Sequence, residues 1–419
     1  MSPLTSKTHP LRALRHRNFR LFFAGQLISL IGTWMQQVAQ SWLIYRLTHS
    51  ALLLGLVGFS GQIPSLLFGP LGGHVADRHD RRRVLVMTQS ASMVLAFILA
   101  GLTLGGVIHE WHIFVLAACL GVVNAFDVPV RQAFLVQMVE REDLMNAIAL
   151  NSSMFNGARI VGPAVAGLLV AAIGEGWCFF ANAVSYVAVI AGLLMMSLPR
   201  LAPQSISTSP WENIVEGFRY VATTKPIRAL LLLIGLISFA GMPYSVLMPI
   251  FADEVFHRGA RGLGILMGAS GAGALIGSVM LAMRSSVRGL GRWVAIASSC
   301  FGLSALAFAF SRSFVLAAVF LVPLGMSMMV QMASSNTLIQ SMVRNELRGR
   351  VMAVYTMMFV GFGPLGALVA GSLAEHIGAP LTVACGGAVS ILGSIVFALR
   401  LPALRGEARQ LIIAQQELS

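Results

Sequence analysis

The sequence predicts an all-α membrane protein with twelve transmembrane helices in two six-helix bundles related by pseudo-symmetry. Hydrophobic residues make up 57% of the 419 residues and charged residues only 11%, whereas a soluble domain is typically about half apolar and a quarter charged. The apolar residues fall into twelve runs of about 20 residues or more, the length that spans a bilayer. An internal repeat relates the first six runs to the last six.

The twelve runs place the membrane helices between charged and turn residues. We expect spans at residues 19–45, 51–76, 84–107, 112–139, 147–173, 177–198, 227–252, 260–283, 293–311, 313–342, 349–374 and 379–400. The first run is too long for a removed signal peptide and lacks a small-residue cleavage site, so we expect it to remain as helix 1. Each of the four cysteines lies alone on its own span, which favours packing over metal binding or disulfide formation.

Positive charge is distributed asymmetrically along the chain. The formal net charge of +13 would suit a nucleic-acid partner, but most of the 29 Lys and Arg residues lie near the chain ends and in alternate loops. The opposite set of loops contains only Arg46, Arg258, Arg261 and Arg312. By the positive-inside rule, this pattern predicts cytoplasmic termini and a lipid bilayer, not nucleic acid, as the partner.

The repeat is clearest in the fifth and eleventh spans. Residues 139–174 align without a gap to residues 343–378, with identical pairs at Glu142/Glu346, Ala149/Ala353, Met154/Met358, Phe155/Phe359, Gly157/Gly361, Ala166/Ala370, Gly167/Gly371 and Gly174/Gly378. The sequence FVLAA also occurs in both the fourth and the tenth spans. We therefore expect an N-terminal bundle at 1–198, a cytoplasmic linker at 199–226, a C-terminal bundle at 227–401 and a cytoplasmic tail at 402–419. The linker sequence WENIVEGFRYV predicts a short amphipathic surface helix.

The loop after the second span reads GHVADRHDRRR, from Gly73 to Arg83. It resembles the major facilitator signature G-x-x-x-D-[RK]-x-G-R-[RK], with Asp80 where the family has glycine. The resemblance implies the major facilitator fold, in which two halves alternate access to a central cavity. It also implies a latch on the cytoplasmic side, and the repeat predicts its counterpart at the start of helix 11. The latch residues are then Gly73, Asp77, Arg78, Arg81, Arg82, Arg348 and Arg350. The alternative is that these arginines only enforce topology.

Three further stretches are similar to the drug and siderophore exporter branch of that superfamily: NAFDVPVRQAFLVQMV, NAIALNSSMFNGARIVGPAVAG and ELRGRVMAVY. The second contains GPAVAG, which resembles the antiporter motif GPxxGG and makes Gly157, Gly162, Pro163 and Gly167 candidates for a functional helix bend. Small residues there could equally serve ordinary helix packing. The resemblance implies a monomeric exporter of a small molecule in a bacterial inner membrane, acting without a cofactor.

Only three charged residues lie deep in the predicted spans: Asp127 and Arg131 on helix 4, and Arg159 on helix 5. Because a charge in hydrocarbon costs at least about 2.5 kcal/mol, such residues should pair and face a cavity. Asp127 and Arg131 are four residues apart on one helix face, and Asp127 and Arg159 lie at a similar depth. We hypothesise that Asp127 carries the coupling proton, with Arg131 or Arg159 as its switch. The alternative is a static pair that stabilises the bundle.

Uncharged polar residues in the spans predict a substrate cavity beside apolar surface. The candidates are Gln36, Gln37, Asn124, Asn156, Gln331, Asn336 and Tyr355. The alternative for each is hydrogen bonding between helices. Since the second half has no deep acid, proton coupling is expected in the first half.

The sequence lacks the residues that ATP-driven transport and a metal site would need. Lys7 and Lys225 are the only lysines and neither follows a glycine-rich turn, so ATP-driven transport is excluded. The cluster His109-Glu110-Trp111-His112 is not HExxH and falls in a short outer loop, so no metal site or enzyme is expected. A proton-coupled exporter of a drug or siderophore remains the leading hypothesis. The alternatives are an importer or flippase of a metabolite or lysophospholipid, and a non-transporting membrane sensor.

Overall fold

The computed structural model describes residues 11–197, 210–284 and 289–417, and within these ranges the chain is helical without a strand. Contacts divide it into two units. The first comprises Met1–His49, Ser60–Ser207 and Gly259–Gly264, and the second comprises Ser50–Phe59, Thr208–Arg258 and Ile265–Ser419. The division does not follow the predicted bundles throughout, because the beginnings of two helices pack with the other unit.

Six long helices come from the first half of the sequence. They are α1 (Arg17–Thr48), α2 (Ala51–Arg78), α3 (Arg81–Leu104), α4 (Glu110–Leu135), α5 (Leu144–Ile173) and α6 (Glu175–Met195). A 3-10 turn, Arg12–Arg15, precedes α1 and another, Arg141–Asp143, precedes α5. The prediction of six helices in this half is confirmed, although α4 ends before residue 139, where the predicted span ends.

The second half is divided into more helices than the first. They are α7 (Pro210–Thr223), α8 (Lys225–Leu236), α9 (Met248–Ile250), α10 (Gly259–Ala282), α11 (Leu290–Phe310), α12 (Phe314–Met342), α13 (Asn345–Thr356), α14 (Phe362–Ile377) and α15 (Ala379–Glu417). Within the predicted linker, α7 is the expected short helix, and residues 198–209 lie outside the described ranges. The last helix does not end near residue 400 but continues through residues predicted as a tail.

Within the described residues, eleven helical segments are long and apolar enough to cross a membrane. Helix α1, with 32 residues, is long enough but is not among the eleven, and it contains Gln26, Gln36, Gln37 and Gln40. It nevertheless packs along α5 and α6 as a member of the first unit. Length and composition therefore support eleven of the twelve predicted membrane helices, and the first predicted span is the one outside that set.

Two helical stretches of the second unit are irregular. Between α8 and α9 the backbone passes through a π-helix, Ile237–Gly241, and a 3-10 helix, Met242–Ser245, and a further π-helix, Phe251–Val255, follows α9. A third π-helix, Met357–Gly361, joins α13 to α14. Pro243 and Pro249 have no N–H to donate, so regular α-helical hydrogen bonding is interrupted in the first stretch. Such π segments are rare and often occur at functional sites.

Glycines let helices approach closely at defined points. A Cβ at Gly72 of α2 would lie 1.9 Å from the carbonyl oxygen of Ala125 in α4, so no larger residue fits there. In the second unit, a Cβ at Gly366 of α14 would lie 2.0 Å from the carbonyl oxygen of Phe239. The first contact holds α2 against the part of α4 that carries Asp127.

Candidate functional site

Asp127 is buried in the first unit, with 3% of its surface exposed. Its Oδ2 atom lies 3.2 Å from the Nε atom of Arg131, one helical turn further along α4. Its Oδ1 atom accepts hydrogen bonds from the Thr88 hydroxyl at 2.9 Å and from the Gln89 amide at 2.7 Å, both on α3. Asp127 is thus an acceptor for two neutral donors and one cation, the arrangement that a buried carboxylate requires.

Arg159 of α5 does not contact Asp127 among the interactions of the described residues, so the contact considered from equal depth is not present. Its guanidinium group instead lies over the ring of Trp34, with 5.8 Å between the guanidinium carbon and the ring centroid. The Phe155 ring packs edge-on against the same indole. Sequence depth alone could not predict this, because the rotational position of α5 decides which residue its arginine meets.

The arginines after α2 contact helix ends within the first unit. Arg81 donates to the carbonyl oxygens of Ala76 and Ala133, and Arg82 donates to that of Leu194. These acceptors lie at or near the last turns of α2, α4 and α6, where carbonyl groups lack helical partners and cations are favoured. The two arginines therefore have a structural role here that the sequence interpretation did not include.

Asp80 replaces the family glycine, and the structure gives a local reason. Its side chain accepts a hydrogen bond from the backbone N–H of Arg83 at 3.2 Å and thereby caps the N-terminus of α3. Gly73 has open space around its Cα position, Asp77 is half-buried and Arg78 is exposed. Within the described residues, Asp77 makes no ion pair.

The predicted latch residues of the second half lie on α13. Arg350 pairs with Glu216 of α7 through Nη1 and Oε2, 2.5 Å apart, and Arg348 is exposed. A Cβ on the neighbouring Gly217 would lie 2.7 Å from the Arg350 carbonyl oxygen. Helix α7 is therefore docked on the start of α13, a contact that the sequence analysis did not predict.

A comparable contact occurs before the first membrane helix. Asp143, with 2% of its surface exposed, lies 3.0 Å from Arg12, 2.9 Å from Arg15 and 2.7 Å from His16. The Ala13 N–H also donates to the Asn146 side chain at 2.9 Å. These contacts hold the segment before α1 against the start of α5.

The glycines of the antiporter-like motif differ in their surroundings. A Cβ at Gly162 would lie 2.4 Å from the Cβ of Trp34, and one at Gly167 would lie 2.9 Å from the Cα of Gly264. Pro163 is buried inside a continuous α5, whereas Gly157 has no neighbour within 4 Å of an added Cβ. Close packing within the first unit thus explains why glycine is present at positions 162 and 167, but it does not explain Gly157.

The predicted cavity residues of the first unit are not all available to a substrate. Gln36 is buried and accepts a hydrogen bond from Asn182 at 2.7 Å, and Asn156 donates to Ser152 of its own helix. Gln37 is exposed and Asn124 is half-buried. For Gln36 the helix-to-helix alternative describes the observed contact.

In the second unit, three predicted cavity residues lie on α12 or α13. The Tyr355 hydroxyl donates to the carbonyl oxygen of Met332 at 3.3 Å, and Gln340 donates to Asn336. Gln331 is buried, and its Nε2 atom has no hydrogen-bond partner. An unmet amide donor in the interior is costly, and Ser334 and Ser335 of the same helix also have buried hydroxyl oxygens without a hydrogen-bond partner.

The family profile described as transmembrane secretion effector matches residues 8–416. The chain is 28% identical over 413 residues to an enterobactin exporter of Citrobacter koseri, covering 96% of this chain and 94% of that protein. It is 26% identical over 381 residues to a staphyloferrin A transporter of Staphylococcus aureus, covering 90% and 95%. It is 25% identical over 377 residues to macrolide efflux protein A of Streptococcus pyogenes, covering 87% and 92%.

Solved structures resemble the chain over nearly its whole length. A nucleoside transporter matches with a TM-score of 0.72 and 16% identity, covering 93% of this chain and 99% of that one. A POT family transporter in complex with a thioalcohol-conjugated peptide matches with a TM-score of 0.74 and 12% identity, covering 93% and 96%. At these identities the likeness shows the fold alone, and the predicted fold class is confirmed.

Proposed function

This chain belongs to the transmembrane secretion effector family of the major facilitator superfamily, and from that membership we propose that it exports a siderophore or drug in exchange for protons. The family and the relatives are transporters, so the chain is a multi-pass membrane transporter of a small molecule and not an enzyme. Beyond this, we propose that transport is outward, that the coupling ion is the proton and that the substrate is a siderophore or drug.

The names of the relatives support the substrate class. Two are named for siderophores, enterobactin and staphyloferrin A, and one for macrolide efflux. The chain covers more than nine-tenths of each of these proteins, so the resemblance is not confined to one half. We propose export because the enterobactin and macrolide relatives are named for outward movement.

Asp127 is the single observation that carries proton coupling. It is a buried carboxyl group with a cation on one oxygen and two neutral donors on the other. Buried ionisable groups in membrane helices commonly mark proton pathways. When Asp127 binds a proton, its attraction to Arg131 is lost, and Arg131 is then released to take another position.

We place this exchange within an alternating-access cycle in a bacterial inner membrane, with both termini cytoplasmic. In this proposal Asp77 and Arg78, which make no ion pair within the described residues, form the cytoplasmic latch in one state of the cycle. Arg81 and Arg82 hold helix ends and support the latch from within the first unit. The transporter acts as a monomer.

The test is transport by purified protein in liposomes with an imposed proton gradient. Enterobactin, staphyloferrin A and a macrolide are offered separately, and wild-type protein is expected to move at least one of them against its gradient. Asp127→Asn is expected to lose gradient-driven transport and to retain substrate exchange without a gradient. Glu110→Gln, at the exposed first residue of α4, is the matched control for a carboxyl-to-amide change on the same helix.

Full proton coupling in Asp127→Asn would contradict the role of Asp127. Movement of a metabolite or lysophospholipid in the opposite direction, with no movement of the three compounds, would favour the importer or flippase alternative.

A further inference from the structure

Two uncharged residues of α3 contact Asp127, and no sequence motif drew attention to them. We propose that Thr88 and Gln89 serve Asp127 in both of its protonation states, donating to the carboxylate and accepting from the carboxylic acid. This inference rests on the proposed role of Asp127 in proton coupling. It assigns to α3 the task of allowing proton exchange without a helix movement.

The need for such partners follows from burial. With 3% of its surface exposed, Asp127 cannot rely on water to satisfy each form. A carboxylate only accepts hydrogen bonds, whereas a carboxylic acid also has one O–H to donate. A partner that can only donate would face that O–H with its own hydrogen, and one of the two groups would stay unmet.

Thr88 can change its role without moving a heavy atom. Its hydroxyl oxygen lies 2.9 Å from Oδ1 of Asp127 and 3.1 Å from the carbonyl oxygen of Leu85. The hydroxyl has a single hydrogen, so it donates fully to only one of them. It donates to Asp127 while the carboxylate is charged, because a charge-assisted hydrogen bond is the stronger one. Once Asp127 is protonated, the hydroxyl donates to Leu85 and accepts from the acid.

Gln89 offers the same choice through its amide. Its Nε2 atom donates to Oδ1 of Asp127 at 2.7 Å, and its Oε1 atom is buried without a hydrogen-bond partner. A half-turn of the amide group exchanges the two atoms and presents an acceptor to a protonated Asp127. The Oε1 atom, which has no hydrogen-bond partner, is thus an acceptor that becomes available to the protonated carboxyl group.

The proton step can be written from these contacts. A proton from the aqueous phase binds Oδ1 of Asp127, and the new O–H bond points to Thr88 or Gln89. The negative charge of Asp127 is lost, so Arg131 keeps its hydrogen-bonding groups but loses its ion-pair partner.

The competing interpretation is that Thr88 and Gln89 only tie α3 to α4. A structural tie and a proton-responsive partner make different demands on the side chain. Serine keeps the hydroxyl group of Thr88, whereas valine keeps its shape and removes both the donor and the acceptor. Leucine removes the donor and the acceptor of Gln89 and leaves an apolar side chain of similar size.

The experiment is infrared difference spectroscopy between acidic and alkaline pH on full-length protein in liposomes, without substrate. A carboxyl band that appears on acidification and is missing in Asp127→Asn belongs to Asp127. We expect its frequency to shift in Thr88→Val and in Gln89→Leu, and to shift most in the double variant. Thr88→Ser is expected to retain the wild-type band. Thermal unfolding of each variant is recorded, and if Thr88→Val does not fold, Gln89→Leu provides the same test.

The outcomes separate this inference from the proposed function. An Asp127 band that is present and unshifted in Thr88→Val and Gln89→Leu overturns the role of the two residues and leaves Asp127 as a proton carrier. A shift in Thr88→Ser as large as that in Thr88→Val also overturns it, because the hydroxyl group would then be irrelevant. Absence of any acid-induced band dependent on Asp127 overturns the proton-carrier role itself, and the inference with it.

Discussion

The two halves of this repeated sequence use different means to build a polar interior. The first half keeps long regular helices and places a buried ion pair, Asp127 with Arg131, on one of them. Among the described residues of the second half no acid is buried, and the helices are interrupted by π segments at Ile237–Gly241, Phe251–Val255 and Met357–Gly361. A duplicated fold can therefore separate its tasks, with charge in one half and irregular backbone in the other.

The largest expected effect on stability concerns the buried ion pair of the first half. Arg131→Met leaves the Asp127 carboxylate buried without its cation, and we expect a loss of about 3–5 kcal/mol in the free energy of unfolding. The measurement is thermal unfolding in detergent at alkaline pH. The double variant Asp127→Asn with Arg131→Met should recover much of the loss, since no unpaired charge remains. Equal losses in the single and double variants would show that Arg131 acts through packing.

A second pair of variants tests the close packing around the irregular helices. In Gly366→Ala the new methyl group would lie 2.0 Å from the carbonyl oxygen of Phe239, so we expect a loss of about 1–3 kcal/mol. In Gly157→Ala no described atom beyond the adjacent residues and backbone of α5 lies within 4 Å of the added group, and stability should be unchanged or slightly raised because alanine favours helix. Similar stability of the two variants would mean that the backbone at Phe239 moves away from the added methyl group at little cost in free energy.

The smallest effects concern the segments docked on α5 and α13. Asp143→Asn removes the charge from a buried carboxyl group that lies within 3.0 Å of Arg12, Arg15 and His16, and we expect a loss of roughly 2 kcal/mol. Glu216→Gln weakens a pair whose side chains are 50% and 27% exposed, and the loss should be no more than about 1 kcal/mol. Both are measured by thermal unfolding. The reverse order would show that docking of α7 is the more important contact.

Much of the site could be located from the sequence because charges inside apolar runs are few. Asp127 and Arg131 were identified as a pair from their spacing, and that pair is observed. Its other partners, Thr88 and Gln89, could not be identified, since threonine and glutamine are common in membrane helices and give no signal of their own. Arg159 was considered as a partner of Asp127 and lies over Trp34 instead, because the rotation of α5 about its axis is set by packing.

The sequence by itself determined the membrane class, eleven of the twelve predicted spans among the described residues, and the internal repeat between the two halves of the chain. These follow from hydrophobic length and repeat spacing, which are properties of the chain read along its length. Only the tertiary structure decided that α2 and α10 begin in the other unit, that the second half contains π-helices, and that Glu216 takes Arg350 as a partner. Those features depend on which side chains meet across helices, and the physical reason is that close packing and hydrogen bonding act between residues far apart in sequence.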